Sequence, residues 1–183
     1  MKYLIFILSL VTICGCTKKE IGPQHVNEPL FAGQKVLVLN EGNFGWGNAS
    51  ISAYNPNQNR VANGIFSSVN NLPLGDVCQS GIRWNNSYLI VVNNSNRIEI
   101  LDSANLESIE QIECMGSPRY LLPAKNERVY VSDLYRGQLG IVNLANYQLV
   151  DSITVPGWVE NLIYANEFLY ATCPNDESVI CID

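Results

Sequence analysis

Asn86-Ser87-Tyr88-Leu89-Ile90-Val91, Asn126-Glu127-Arg128-Val129-Tyr130-Val131 and Asn166-Glu167-Phe168-Leu169-Tyr170-Ala171 begin 40 residues apart. Downstream, Ile100-Leu101-Asp102, Ile141-Val142-Asn143 and Cys181-Ile182-Asp183 recur at spacings of 41 and 40. Gly75, Gly116 and Gly157 follow each other at 41. A further copy lies upstream, where Val36–Asn40 faces Ile51–Asn55. A period near 40 is the signature of a repeat architecture, with one supersecondary unit per copy.

Each copy consists of short β-branched and aromatic runs broken by Asn, Gly, Pro and Ser, which is the pattern of strands and turns. In the third copy the strands read as A over Arg119–Ala124, B over Arg128–Asp133, C over Leu139–Asn143 and D over Gln148–Thr154. No stretch of ten residues after Cys16 carries a helical stripe. Four antiparallel strands per repeat predict an all-β fold, a β-propeller of four-stranded blades with strand A nearest the axis. The alternative is an ordinary β-sandwich with evenly spaced strands. The repeats comprise strands B to D of a first blade, two full blades and strands A to C of a fourth. That is about three and a half blades of a ring that closes with about four to eight, so the reading is an incomplete propeller.

Outside the repeat, Met1–Cys16 (MKYLIFILSLVTICGC) places one Lys before an apolar run too short to span a bilayer. It reads as an export signal, and Gly15 directly before Cys16 resembles a bacterial lipobox. The expected organisation is a signal peptide over 1–15, a tether over 16–30 and the propeller domain over 31–183, with Cys16 as the lipidated residue. An ordinary signal cut near Gly15, or a retained anchor, is the alternative. The polar segment Thr17–Leu30, with Pro23 and Pro29, suits a tether.

Composition removes several classes of function. With 11 Lys+Arg against 17 Asp+Glu and a net charge of −6, the chain lacks the basic footprint that nucleic acid demands. One histidine, His25, in the tether, leaves no His-based metal or nucleophile site. No catalytic residue and no metal are expected. After the signal, Cys78, Cys114, Cys173 and Cys181 permit disulfides in an exported protein. Their strand-like surroundings favour free thiols acting as small hydrophobes.

In a propeller the B–C and D–A loops emerge on one face. Here the B–C loops are 41–48, 93–96, 134–138 and 174–177, and the D–A loops 73–79, 115–119 and 156–161. Together they offer Phe44, Trp46, Tyr135 and Trp158 among Asn43, Asn48, Asn94 and Gln79, with Asp76, Arg119, Arg136 and Glu160 as charges. Such aromatics and amides suit a small-molecule, glycan or peptide ligand. They also serve as loop plugs and turn formers. Glu41, Asn93 or Asn94, and Asp133 could supply oxygen ligands to calcium near the axis, the basis of a lactonase-type alternative.

Four strings are more specific: NEGNFGWGNASISAYNP (Asn40–Pro56), LGDVCQSGI (Leu74–Ile82), VVNNSNRIEILD (Val91–Asp102) and GSPRYL (Gly116–Leu121). They resemble the YncE-like, surface-layer-type β-propeller lipoproteins of Bacteroidetes. The nearest resemblance is to the cell-surface propellers that bind vitamin B12 beside a TonB-dependent outer-membrane transporter. The likeness runs from about Phe31 to Asp183. It implies about seven blades, which makes this chain about half a ring. It further implies a non-enzymatic lipoprotein anchored to the outer membrane by its lipid alone, with a corrinoid as transported ligand and not cofactor. The site residues implied are those of the loop face. The alternative is a protein-binding or structural propeller of the cell envelope.

Overall fold

The computed structural model describes residues 35–114 and 116–183. The expected signal, Cys16 and the tether lie outside the described residues. Among the described residues, fourteen strands form four antiparallel sheets. The first sheet holds β1 (Val36–Asn40), β2 (Ser50–Asn55) and β3 (Arg60–Ala62). The second orders β4 (Cys78–Trp84), β5 (Ser87–Val92), β6 (Arg97–Asp102) and β7 (Ser108–Glu113) as a meander. The third repeats it with β8 (Pro118–Pro123), β9 (Arg128–Asp133), β10 (Gln138–Asn143) and β11 (Gln148–Thr154). The fourth holds β12 (Leu162–Ala165), β13 (Phe168–Cys173) and β14 (Ser178–Ile182).

These are consecutive blades of a partial β-propeller, as the repeat predicts. The A strands neighbour one another: β8 lies against β4 on one side and β12 on the other. The blades stack through three apolar layers, because each B strand sends alternate side chains to opposite neighbours. On β5, Ile90 and Val92 join Ile51, Ala53 and Phe66 toward the first blade. Leu89 and Val91 join Val129, Val131 and Val142 toward the third. A third layer, with Leu139, Val159, Leu169 and Ala171, joins blades three and four. Each fully buried aliphatic side chain is worth about 1.5–3 kcal/mol. Burial on both faces is why these strands read as unbroken apolar runs and not as alternation.

The recurrent polar residues mark turns. At the C–D turns, Asn55 Oδ1 accepts from the backbone N–H of Asn57 and Gln58, at 3.0 and 3.2 Å. Asp102 Oδ1 accepts from Ala104 and Asn105, at 2.7 and 3.2 Å, and Asn143 Oδ1 from Ala145 at 2.9 Å. At the A–B turns, Asn85, Asn126 and Asn166 hold φ of 49°, 58° and 49°. Asn tolerates this left-handed region better than most side chains.

Two features depart from the expectation. A short helix, α1 (Ile65–Asn70), is inserted between the first and second blades. Its apolar pair Ile65-Phe66 is buried, and Asn70 Nδ2 donates to Leu106 O at 3.0 Å. Gln79, expected in a D–A loop, lies inside β4, while Arg119, read both at the end of a D–A loop and at the start of a strand, lies inside β8; an irregularity in pairing accompanies each. Among the described residues, no helix is long and apolar enough to cross a membrane. The described cysteines Cys78, Cys114, Cys173 and Cys181 are all free. Cys181 is exposed, unlike the buried Cys78 and Cys173.

Candidate ligand-binding face

The B–C loops occupy 41–49, 93–96, 134–137 and 174–177. Phe44, Trp46 and Tyr135 project from two of them with 74%, 76% and 79% of their surface exposed. The loop carrying Phe44 and Trp46 is built by backbone geometry. Asn48 Oδ1 accepts from Asn43 N–H at 2.8 Å, and Trp46 N–H donates to Asn43 O at 3.1 Å. Gly42 takes φ of 79° beneath Asn48, where a Cβ would stand 2.5 Å from Asn48 Oδ1.

Asp76 ties this loop to the next blade. Its Oδ2 accepts from Gly45 N–H at 2.8 Å and from Asn94 Nδ2 at 2.6 Å, while its own N–H donates to Ser95 Oγ at 3.0 Å. Asp76 Oδ1 is enclosed with no partner among the described residues. A buried carboxylate oxygen in that state is costly. Asp76 is therefore a loop-positioning group, a role its sequence position did not reveal.

Arg119, Glu160 and Gln79 form a second cluster across three blades. Arg119 donates from Nε to Glu160 Oε2 at 3.0 Å and from NH2 to Glu160 Oε1 at 2.7 Å, a bidentate pair. Its NH1 donates to Gln79 Oε1 at 2.5 Å. Hydrogen bonding to Glu160 raises the Arg119 pKa still further, and Glu41 adds a weaker attraction. These groups satisfy one another, so they brace the inner strands more than they offer themselves to a ligand.

The remaining expected site residues divide similarly. Asn43, Asn48, Asn94 and Arg136 are exposed on the loops beside the aromatics. Trp158 is only half-exposed, with its indole N–H enclosed and unpartnered among the described residues. Two of the candidate calcium ligands, Asn93 and Asp133, are engaged in hydrogen bonds within the fold. Asn93 Nδ2 donates to Pro118 O at 2.7 Å, and Asp133 Oδ1 accepts from Tyr135 and Arg136 N–H at 2.9 and 3.0 Å. Among the described residues, no group of three His, Cys, Asp or Glu could hold a metal ion.

The repeated glycines now have a cause. Each D–A loop passes against the B–C loop of the blade it enters. A Cβ on Gly75 would stand 2.6 Å from Ser95 Oγ, one on Gly116 2.6 Å from Asp133 Oδ2, and one on Gly157 2.9 Å from Asp176 Oδ2.

The four sheets and their stacking define a partial β-propeller. The chain belongs to the family described as a domain of unknown function, DUF5074, whose profile matches residues 34–183. No curated protein matches it. Among solved structures, the chain is similar to the WD40 β-propeller domain of Doa1, with TM-score 0.62 and 15% identity over 84% of this chain and 48% of that one. It is also similar to the computationally designed Ika8 protein, with TM-score 0.56 and 12% identity over 82% and 43%. Apo AztD from Citrobacter koseri matches with TM-score 0.52 and 14% identity over 74% and 39%. The chain thus spans less than half of each of these structures, and the likeness is one of fold.

Proposed function

We propose that this chain forms part of a non-catalytic propeller that recognises a protein partner in the cell envelope through its B–C loop face. The observation that carries the reading is the display of Phe44, Trp46 and Tyr135, each about three-quarters exposed, on one face. Large aromatics with few rotamers are the residues that dominate protein interfaces. Here they stand on loops fixed from below by Asp76, Asn48 and Asp133, so little ordering cost attends binding. Envelope placement rests on the lipobox-like Gly15-Cys16 and on the family resemblance, which also favours an outer-membrane lipid anchor.

A second reading is capture of a corrinoid for delivery to a TonB-dependent transporter. It is favoured by the exposed amides of Asn43, Asn48 and Asn94 beside the aromatics, a set that could cover a corrin face and meet its amide rim. Such a disc must lie on the open face. The cleft of about 230 Å³ between β1 and β4, lined by Leu37, Leu39, Gly81 and Arg83, is too small for it.

Binding of the purified chain to an envelope fraction tests the first reading. Saturable binding should fall at least about thirtyfold in a Phe44→Ser, Trp46→Ser, Tyr135→Ser variant. Equal binding by both proteins would refute it. Titration with cobalamin, followed by its visible absorption, tests the second reading. A saturable spectral shift lost in Trp46→Ala supports capture, and no shift removes it.

A further inference from the structure

We propose that the opposite face carries a second site, a cleft between blades two and three that takes a single sugar ring. The A–B turn of the second blade and the C–D turn of the third meet there around a cleft of about 220 Å³. Trp84 and Tyr147 contribute its aromatic surface, Leu89 and Leu144 its apolar floor, and Asn85, Asn86, Ser87 and Glu127 its polar rim.

Three observations point to a ligand. Trp84 and Tyr147 are packed against the apolar layer between the two blades, so their rings are held in place before anything binds. The turn itself does not demand Trp84, since Ala124 stands at the matching turn of the third blade. Lastly, no hydrogen bond to another described residue engages the side chains of Asn85, Asn86, Ser87 or Glu127.

The donor set selects the ligand class. The lining contains no Lys or Arg, and Glu127 adds a negative charge, so anions are disfavoured. The Asn amides and the Ser hydroxyl both donate and accept hydrogen bonds. An ammonium ion has no acceptor and would leave the amide N–H groups unused. A polyhydroxylated ring answers both kinds of group, and its C–H face suits Trp84 or Tyr147. The volume sets the size: pockets for drug-sized ligands hold about 300–1,000 Å³, so this one fits a single ring and not an oligosaccharide buried along its length. An affinity of about 1 mM is expected for so small a ligand.

Saturation-transfer NMR on the full chain tests the proposal, with methyl glycosides of glucose, galactose and N-acetylglucosamine as probes and ethylammonium as the cationic comparison. At least one glycoside should bind saturably near 1 mM. Asn86→Ala and Glu127→Gln, both on exposed turns, should each weaken it about tenfold. Trp46→Ala, on the other face, should leave it unchanged, which separates this site from the proposed partner face. Trp84→Phe provides a conservative test of the aromatic wall. Failure of all three glycosides to bind, binding unmoved by Asn86→Ala and Glu127→Gln, or saturable binding of ethylammonium alone would overturn the assignment.

Discussion

Glu99 places a fully buried carboxyl group in the second blade. It lies on β6 with no exposed surface, paired to Arg97 Nε at 3.1 Å. It also accepts from Ser108 Oγ and from Gln111 Nε2. Arg97 in turn donates from NH2 to Leu74 O at 2.7 Å, which ties the pair to the segment entering the blade. Glu99→Ala would strand Arg97 and two further polar partners, and should lower stability by about 3 kcal/mol in chemical denaturation. The alternation around it, Arg97-Ile98-Glu99-Ile100, reads as an ordinary half-exposed strand. Its burial was not legible because a second sheet covers the face that alternation normally leaves to water. The thiols behave as their surroundings dictate. Burial pushes Cys78 and Cys114 up to about 12 from an ordinary value of 9.0. In the unfolded chain both ionise near 9.0, whereas the folded protein keeps them protonated. Their contribution to stability is therefore complete below about pH 9 and is lost as pH rises toward about 12. Among the described cysteines, iodoacetamide at pH 8 should modify the exposed Cys181 first, with the buried Cys78 reacting only under denaturant. Rapid labelling of Cys78 in the native protein would contradict this.

Among the elements, the turns and loops were unequally legible. The B and C strands of the third blade lie where their apolar runs place them, and the Asx turns explain the Asp or Asn that closes each C strand. Helix α1 escaped notice because six residues make less than two turns, too few for a periodic stripe. Gln79 entered a strand because irregular pairing at the start of β4 extends that strand toward the loop face. The aromatic loop was recognisable, but its anchor was not, since Asp76 comes from a connection 31 residues away from Gly45. Asp76→Ala should release the loop. Hydrogen exchange at Gly45 should accelerate at least about tenfold, with a stability loss of about 2 kcal/mol. Unchanged exchange would show that the loop is held by other contacts. Gly116→Ala should cost more than an ordinary surface change, because its methyl group meets the Asp133 carboxylate that caps the Tyr135 loop. A melting temperature equal to that of the parent would rule out this packing.

On the scale of the whole molecule, repetition made the architecture readable. Equal spacing of the apolar runs fixes equivalent strands, equivalent strands fix successive blades, and the blades share the three apolar layers. The loop face follows from topology, since a meander sends its B–C and D–A connections to the same end. Which of its residues are displayed does not follow. Phe44, Trp46 and Tyr135 face solvent, while Arg119 and Glu160 are consumed by each other, and that difference arises from contacts between blades. Recognition through the exposed trio is the central claim, and site-specific photocrosslinking in the native envelope tests it most directly. A benzophenone side chain placed in turn at Phe44, Trp46 and Tyr135 should yield one shared adduct. The same group at Val61, Ile109 or Val150, exposed on the outermost strands, should yield none. Adducts formed only from the outer strands, with nothing captured at the three aromatic positions, would contradict the account.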